Sequence, residues 1–216
     1  MLSVVIPALD AAATLPGCLA ALGSVPDLVV VDGGSRDATR EIARAAGARV
    51  VDSPRGRGVQ LAAGAEAALG QWLLFLHADT RLELDWRRAV KLHFDKRPAS
   101  AAAFRFGLDD PAWQARVIER GVALRLALLG LPYGDQGLLV SRIHYGNAGG
   151  YRALALMEDV NLVRRLGRVV VLSADAVTSA ERWRRSGWFR RSARNLGLLA
   201  LYRAGVKPER LARLYD

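Results

Sequence analysis

Three short runs constrain this chain most: Leu2-Ser3-Val4-Val5-Ile6, Leu28-Val29-Val30-Val31 and Trp72-Leu73-Leu74-Phe75-Leu76. They are apolar at nearly every position, without the alternation of a strand that keeps one face in water. Such a run must be covered on both faces, which is the condition of a strand inside a parallel sheet clothed by helices. The segments between the runs carry helical period, so the pattern predicts strand Leu2–Ile6, helix Ala11–Leu22, strand Asp27–Val31, helix Asp37–Ala46, strand Arg49–Asp52, helix Val59–Leu69 and strand Trp72–Leu76. Alternation of this kind specifies an α/β fold with a mostly parallel, Rossmann-like central sheet flanked by helices on both faces. Ligands of such sheets gather beyond the carboxyl ends of the strands. Past Arg97 the alternation loosens. A strand at Ala101–Phe106, a helix at Pro111–Leu129, a loop from Pro132 to Gly137, a strand at Leu138–Ser141, a helix at Met157–Leu166, a strand at Val169–Leu172 and a basic helical carboxyl-terminal region are expected. No linker or repeat divides the 216 residues, so residues 1–216 read as one domain, with a nucleotide-binding half to about residue 97 and an acceptor half from about 98 to 216.

One cysteine, Cys18, excludes an internal disulfide framework and gives no sign of an oxidising compartment. The amino-terminal stretch is broken by Pro7 and Asp10 before a signal-peptide core is complete, and no run approaches the roughly 20 apolar residues of a membrane span. A cytoplasmic protein is expected. The formal charge of +10 calls for phosphate-bearing ligands, nucleic acid or an anionic membrane surface. Its densest cluster is Arg182, Arg184, Arg185, Arg190, Arg191 and Arg194, interleaved with Trp183, Trp188 and Phe189. That pattern suits either a solvated helix face or peripheral docking on the cytoplasmic face of a membrane. No zinc-finger, helix-turn-helix or RNA-binding signature accompanies it, so no specific nucleic-acid partner is expected.

Four stretches carry chemistry. Val29-Val30-Val31-Asp32-Gly33-Gly34-Ser35 delivers a carboxylate at a strand end beside glycines that allow close backbone approach to a ligand, although Asp-Gly-Gly-Ser is equally an ordinary turn. Arg55-Gly56-Arg57-Gly58-Val59-Gln60 opens a helix with backbone donors and guanidinium groups suited to a diphosphate, or forms an exposed basic turn. Leu73-Leu74-Phe75-Leu76-His77-Ala78-Asp79 places Asp79 at the tip of a buried strand, where a hard cation bridging phosphates finds an oxygen ligand on a rigid support; otherwise Asp79 caps the next helical segment. Met157-Glu158-Asp159 begins an apolar-periodic helix with two acids, which either complement its dipole or supply a general base for an acceptor hydroxyl.

In their order along residues 3 to 166, Val4-Val5-Ile6-Pro7-Ala8, the Asp32 turn, the Arg57 loop, His77-Ala78-Asp79, Gly149-Gly150 and Glu158-Asp159 resemble the family 2 glycosyltransferases. Arg55–Gln60, Leu76–Thr80 and Pro132–Gly137 look most like a compact branch known as radical-SAM/selenodomain-associated transferases. The resemblance implies a GT-A fold, a nucleotide-sugar donor, Mg or Mn, and inversion at the anomeric carbon. It places Pro7, Ala8, Asp10, Asp32, Gly34, Ser35, Arg57, Gly58 and Ala78 around the donor nucleotide, Asp79 on the metal and Asp159 as base. Asp135, Gln136, Glu158 and Trp183 become candidate substrate contacts, and the acceptor would be a sugar, a lipid or a small metabolite.

The chain departs from the family pattern at three places. It has Leu9-Asp10 where many relatives have Asn-Glu, and His77 takes the place of the first acid of the metal motif. Ser179-Ala180-Glu181-Arg182-Trp183 is similar to the Gln-x-x-Arg-Trp motif of processive synthases but lacks its glutamine, which argues against a processive polymerase. Two other classes use some of the same features: a nucleotidyltransferase, which lacks support from any glycine- and lysine-rich phosphate loop at the amino terminus, and a non-catalytic basic protein binding nucleotides or anionic lipid.

Overall fold

The computed structural model describes residues 1–215. Strands β1 (Leu2–Ala8), β2 (Asp27–Asp32), β3 (Arg49–Asp52) and β4 (Trp72–Phe75) pair in parallel, interleaved with helices α1 (Leu15–Leu22), α2 (Thr39–Ala45) and α3 (Arg57–Ala67). The buried strands behave as their composition requires. Val4 and Ile6 face the layer holding Leu15, Cys18 and Leu22 of α1, while Val5 faces the opposite layer with Leu61 and Ala65 of α3. Cys18 is filler in the first layer, where burial, with a smaller contribution from Asp79, pushes its thiol up to about 12.

The second part contains β5 (Thr80–Leu82), α4 (Trp86–Lys96), β6 (Ala101–Leu108), α5 (Trp113–Leu129), a 3-10 turn at Gly134–Gln136, β7 (Leu138–Ser141), α6 (Arg142–Asn147), α7 (Glu158–Leu166), β8 (Val169–Thr178), α8 (Glu181–Ser186), α9 (Trp188–Arg203) and α10 (Pro208–Tyr215). One eight-stranded sheet results, in the order β3-β2-β1-β4-β7-β6-β8-β5. Strands β7 and β5 run against the rest, so the sheet is mostly parallel, as its apolar runs predict. No helix among the described residues is long and apolar enough to cross a membrane.

Where boundaries differ from the pattern, local chemistry explains them. Helix α1 starts at Leu15 with a proline in its first turn, because Ala11 and Ala12 instead donate their N–H groups to Thr39 Oγ1 (2.8 Å) and Asp37 Oδ2 (2.9 Å). Strand β8 runs six residues past Leu172 to Thr178: the ladder to β6 shifts register between Ala103 and Arg105, and beyond the shift it resumes with Asp175 paired to Arg105, which offsets its charge. The pattern omits α4, whose apolar positions are Trp86, Ala89, Val90, Leu92 and Phe94, the first three buried together with His93 at i, i+3, i+4 and i+7.

Gly64 shows how tightly α3 lies on the sheet: a Cβ there would come 2.3 Å from Val5 Cγ1 and 2.8 Å from Val31 Cγ2. In an exposed helix alanine is better than glycine by about 1 kcal/mol. Here Gly64→Ala is expected to destabilise instead, by about 1–3 kcal/mol, read as a lower urea midpoint at unchanged m-value.

Candidate active site

The parallel register brings Ala8 opposite Asp32, and Asp32 opposite Asp52, at one sheet edge. Beyond that edge a cleft of about 1510 Å³, open to solvent, is walled by Pro7, Ala8, Asp10, Arg55, Gly56, Arg57, Gln60, His77, Ala78 and Asp79. Asp10 holds a left-handed backbone, with φ 48°. Its N–H donates to Ser35 Oγ (2.9 Å), and its Oδ1 accepts from the N–H of Arg36 (2.8 Å), which fastens the two loops together. Gln60 was not anticipated. Its Nε2 donates to the carbonyls of Ala8 and Val31, both at 2.8 Å, and so locks the ends of β1 and β2 together.

Asp32 reaches this edge but does not form the cleft wall. Its side chain is 0% exposed, and Oδ2 accepts from the N–H groups of Gly34 and Ser35 (3.0 Å each) and from Arg40 Nε (2.7 Å). Burial would raise its pKa, but the hydrogen bonds from Ser35, Arg40 and Gly34 outweigh that and hold the carboxyl below its ordinary value. Gly34, at φ 95°, and Ser35 complete the loop. None of these three residues lines the cleft, and Asp32 Oδ1 is buried without a partner among the described residues.

A second cleft, of about 780 Å³, shares Arg57, His77, Asp79 and Arg182 with the first and continues past Tyr133, Gly134, Asp135, Glu158, Asp159, Trp183 and Arg191. Asp79 and Asp159 therefore face a common space. Asp159 sits in the first turn of α7, behind Met157, which adopts φ 65°. Such a conformation is unfavourable for a side-chain-bearing residue and persists where the surroundings enforce it. The carboxylate is held from both sides: Gly134 N–H donates to Oδ2 and Val160 N–H to Oδ1, each at 2.7 Å. Each oxygen keeps a lone pair for another donor. A Cβ at 134 would lie 2.6 Å from His77 Nε2, so a larger residue there would displace that ring.

Glu158 faces the other way. Its Oε1 lies 2.6 Å from Arg57 Nε, and burial pushes its carboxyl up while the guanidinium partly offsets the rise. Gly58 makes this approach possible, because a Cβ there would be 2.3 Å from the Arg152 carbonyl oxygen and 3.3 Å from Glu158 Cβ. His77 Nε2 lies 3.4 Å from Arg57 Nη1. Burial and then the Arg57 charge push its pKa down to about 4, so the ring is neutral and accepts from Arg57.

The remaining candidates divide. Asp135 and Trp183 line the second cleft. Gln136 does not, which corrects the expectation of a substrate contact: its side chain is fully buried, Nε2 donates to the Phe104 carbonyl (3.0 Å), and Oε1 accepts from Arg125 Nη2 and Tyr133 N–H (3.3 Å each). The amide shapes the 3-10 turn. Trp183 and Arg191 correct the picture of the carboxyl-terminal cluster as a solvated face, since both are buried against the cleft. Tyr133, Ser179, Arg191, Asn195 and Tyr215 also line the two clefts and carried no site assignment from sequence. The Pro132–Gly137 stretch, the arginine cluster and the likeness of Ser179–Trp183 to the synthase motif pointed to this region without assigning these side chains a role.

Among the described residues, no three His, Cys, Asp or Glu side chains gather to hold a metal ion. Asp79 is a single carboxylate with 20% of its side chain exposed, 3.9 Å from Arg182 Nη2. Such a donor set fits a hard cation that draws most of its ligands from diphosphate oxygens and water, rather than a preformed cage.

The sequence profile described as "Glycosyl transferase family 2" matches residues 3–153, more than half of the chain. The chain belongs to the family 2 glycosyltransferases. Among curated proteins, the chain is similar to a "PGL/p-HBAD biosynthesis glycosyltransferase" of Mycobacterium bovis, 40% identical over 93 residues, covering 38% of this chain and 36% of that protein. A "TPR repeat-containing protein" of Synechococcus elongatus is 37% identical over 99 residues, covering 43% and 24%. The match thus spans about a third or less of these relatives' length. In three dimensions the chain is similar to glucosyl-3-phosphoglycerate synthase of Mycobacterium tuberculosis, solved with Mn2+, uridine diphosphate and glucosyl-3-phosphoglycerate, with a TM-score of 0.56 at 21% identity over 83% of this chain and 70% of that one. It is also similar to S. aureus TarS 1–349, with a TM-score of 0.62 at 14% identity over 99% and 69%. The GT-A fold expected of a family 2 glycosyltransferase is the fold found.

Asp135 yields a pH-dependent expectation. Burial, opposed by Arg125 and reinforced by Asp159, raises its carboxyl from 3.8 to about 6. Because the folded value lies above the unfolded one, the ionised form burdens the native state fully above pH 6, and the penalty vanishes below about pH 4. Asp135→Asn is therefore expected to raise the melting temperature relative to wild type at pH 8, with the gap closing as pH falls towards 4.

Proposed function

We propose that this chain is an inverting, metal-assisted glycosyltransferase that moves a sugar from a nucleotide-diphosphate donor to an acceptor hydroxyl. The observation that carries the reading is the meeting of two clefts at Asp79, with Asp159 fixed by two backbone N–H groups across the shared space. The nucleoside lies against Pro7, Ala8 and Asp10, with the Asp32, Gly34 and Ser35 turn holding the Asp10 loop in place behind them. The diphosphate lies by Arg57, Gly58 and Ala78, at the amino end of α3, where backbone N–H groups and the helix dipole favour anions. Residues 1–97 thus supply the donor half and 98–216 the acceptor half.

Asp79, with the donor's phosphates, would hold Mg or Mn, which supplies positive charge to the departing diphosphate. Arg57 contributes charge to the same side. The acceptor hydroxyl is oriented near Asp135 and Trp183, and its proton passes to an Asp159 carboxylate oxygen as its own oxygen bonds to the anomeric carbon and the carbon–phosphate-oxygen bond breaks. A single displacement inverts the centre and needs no nucleophilic side chain. Glu158 positions Arg57 rather than the acceptor. The Arg55–Gln60, Leu76–Thr80 and Pro132–Gly137 stretches favour the compact radical-SAM/selenodomain-associated branch of the family.

Donor consumption over a panel of nucleotide sugars with Mn or Mg tests this. Asp159→Asn is expected to lower kcat by about 100-fold or more, the usual contribution of a general base, with donor affinity little changed; Asp79→Ala is expected to abolish the metal dependence. Undiminished turnover in both variants, or pyrophosphate release from a nucleoside triphosphate, would refute the reading.

We also propose that the protein works at the cytoplasmic face of a membrane. Helix α5 buries Ala115, Ile118 and Leu126, yet leaves Trp113 (64%), Val117, Leu124 and Leu128 (73%) exposed along its other side. Trp113 meets Phe189 of α9, with ring centroids 5.9 Å apart, beside exposed Arg116, Arg120 and Arg190. An apolar stripe rimmed by arginines suits an anionic lipid surface. Co-sedimentation with phosphatidylglycerol vesicles is expected, lost in high salt and in the double variant Leu124→Glu/Leu128→Glu; equal binding to neutral vesicles would contradict the proposal.

A further inference from the structure

Arg191 stands apart from the other charges of the second cleft. It lies on α9, outside the residues that match the family profile, and is only 8% exposed although it lines the cavity. Its guanidinium stacks on the Trp183 ring, 4.9 Å from the centroid, and Nη2 donates to Tyr215 Oη at 3.3 Å. Nε is buried without a partner, and among the described residues no carboxylate oxygen pairs with the group within 4.0 Å.

The cavity's other ionic groups have company, except Asp135, whose Oδ1 is buried without a partner among the described residues. Arg57 has Glu158 at 2.6 Å, Arg182 has Asp79 at 3.9 Å, and Asp159 has its two backbone donors at 2.7 Å. A guanidinium taken out of water without a counter-charge is costly, and a cation–π contact returns only about 2 kcal/mol of that when desolvated. The partner missing among the described residues is an anion, and the planar fork of arginine matches a carboxylate or phosphate better than it matches a hydroxyl. Its neighbours in the cavity wall, Asn195 and Tyr215, are neutral hydrogen-bonding side chains that tolerate such an anion.

We propose that the acceptor carries a carboxylate or phosphate group, which Arg191 receives while the acceptor hydroxyl lies at Asp159. The inference rests on the transferase reading of this site and deepens it by assigning the acceptor to the small anionic metabolites or the anionic headgroups of lipids. Two faces of the same cavity then bind opposite ends of one molecule: a carboxylate end of the site takes the hydroxyl, and a guanidinium end takes the charge. Neutral sugars would leave Arg191 unsatisfied and bind poorly.

Glycerol phosphate and glycerol, which share a skeleton and differ in the charge, are suitable probes. Their binding is measured by calorimetry on the full chain, saturated with uridine diphosphate and Mn, for wild type, Arg191→Gln and Arg191→Lys, with melting temperatures recorded to confirm folding. Wild type is expected to bind glycerol phosphate at least about tenfold more tightly than glycerol, the scale of one charged hydrogen-bonded contact. Arg191→Gln is expected to erase that preference, Arg191→Lys to keep part of it, and both to bind uridine diphosphate as wild type does. Equal binding of the two probes, or a preference unchanged in Arg191→Gln, overturns the proposal. A parallel loss of uridine diphosphate affinity in Arg191→Gln overturns it too, by assigning the guanidinium to the donor's phosphates. If wild type binds no nucleotide diphosphate but retains the Arg191-dependent preference, the transferase reading fails and the anion site stands. Transfer assays with membrane-embedded phosphatidylglycerol against soluble glycerol phosphate then separate the lipid from the metabolite source.

Discussion

The site depends on the contact between Arg57 and Glu158. Arg57 begins α3, and Glu158 begins α7, a hundred residues later and on the far side of the β4–β7 junction. Their 2.6 Å pairing, allowed by the bare backbone of Gly58, brings two helix amino termini together at the edge of the sheet. The Asp159 end of the second cleft is indexed to it. Glu158 is the neighbour of Asp159, so turning Glu158 towards Arg57 turns Asp159 the other way, towards the Gly134 N–H and the open cavity. Ion pairs of this kind contribute little net stability once desolvation is counted. Their value here is orientation, and the left-handed backbone of Met157 is the strain that the orientation requires.

The charge of the chain is resolved by the same geometry. Arginine is spent on local pairing at Asp27, Asp32, Asp109, Asp110, Glu119 and Asp175, which accept from Arg49, Arg40, Arg81, Arg184, Arg116 and Arg105 respectively. A net +10 therefore does not describe a uniform basic surface. It leaves cations that line the clefts, among them Arg57 and Arg191, and a solvent-facing set beside the apolar stripe of α5.

Much of this was legible in the sequence. Runs such as Val29–Val31 and Leu73–Phe75 identify strands buried on both faces, and the strand-end positions of Asp79 and the Arg57 loop follow from the sheet they imply. What pattern does not reveal is direction. Asp32-Gly33-Gly34-Ser35 reads alike whether its carboxylate faces a ligand or, as here, clasps its own turn and Arg40. Gln136 reads as a loop amide, but long-range contacts with Phe104 and Arg125 bury it. Arg191 lies in a cluster whose spacing resembles a solvated helix face, and only tertiary packing against Trp183 and Tyr215 takes it indoors. Helix α4 was hidden for a related reason, its few apolar residues being scattered among charges until Trp86 and Val90 find the core.

The central claim is that the two clefts form one donor–acceptor passage with Asp79 and Asp159 on opposite sides of the reacting carbon. A crystal structure of the protein soaked with an intact nucleotide sugar and Mn tests it most directly. The account predicts the nucleoside against Pro7, Ala8 and Asp10, a diphosphate oxygen and the ion beside Asp79, and the anomeric carbon directed at Asp159. A nucleotide sugar seated with its sugar pointing away from Asp159, or bound outside both clefts, would contradict it.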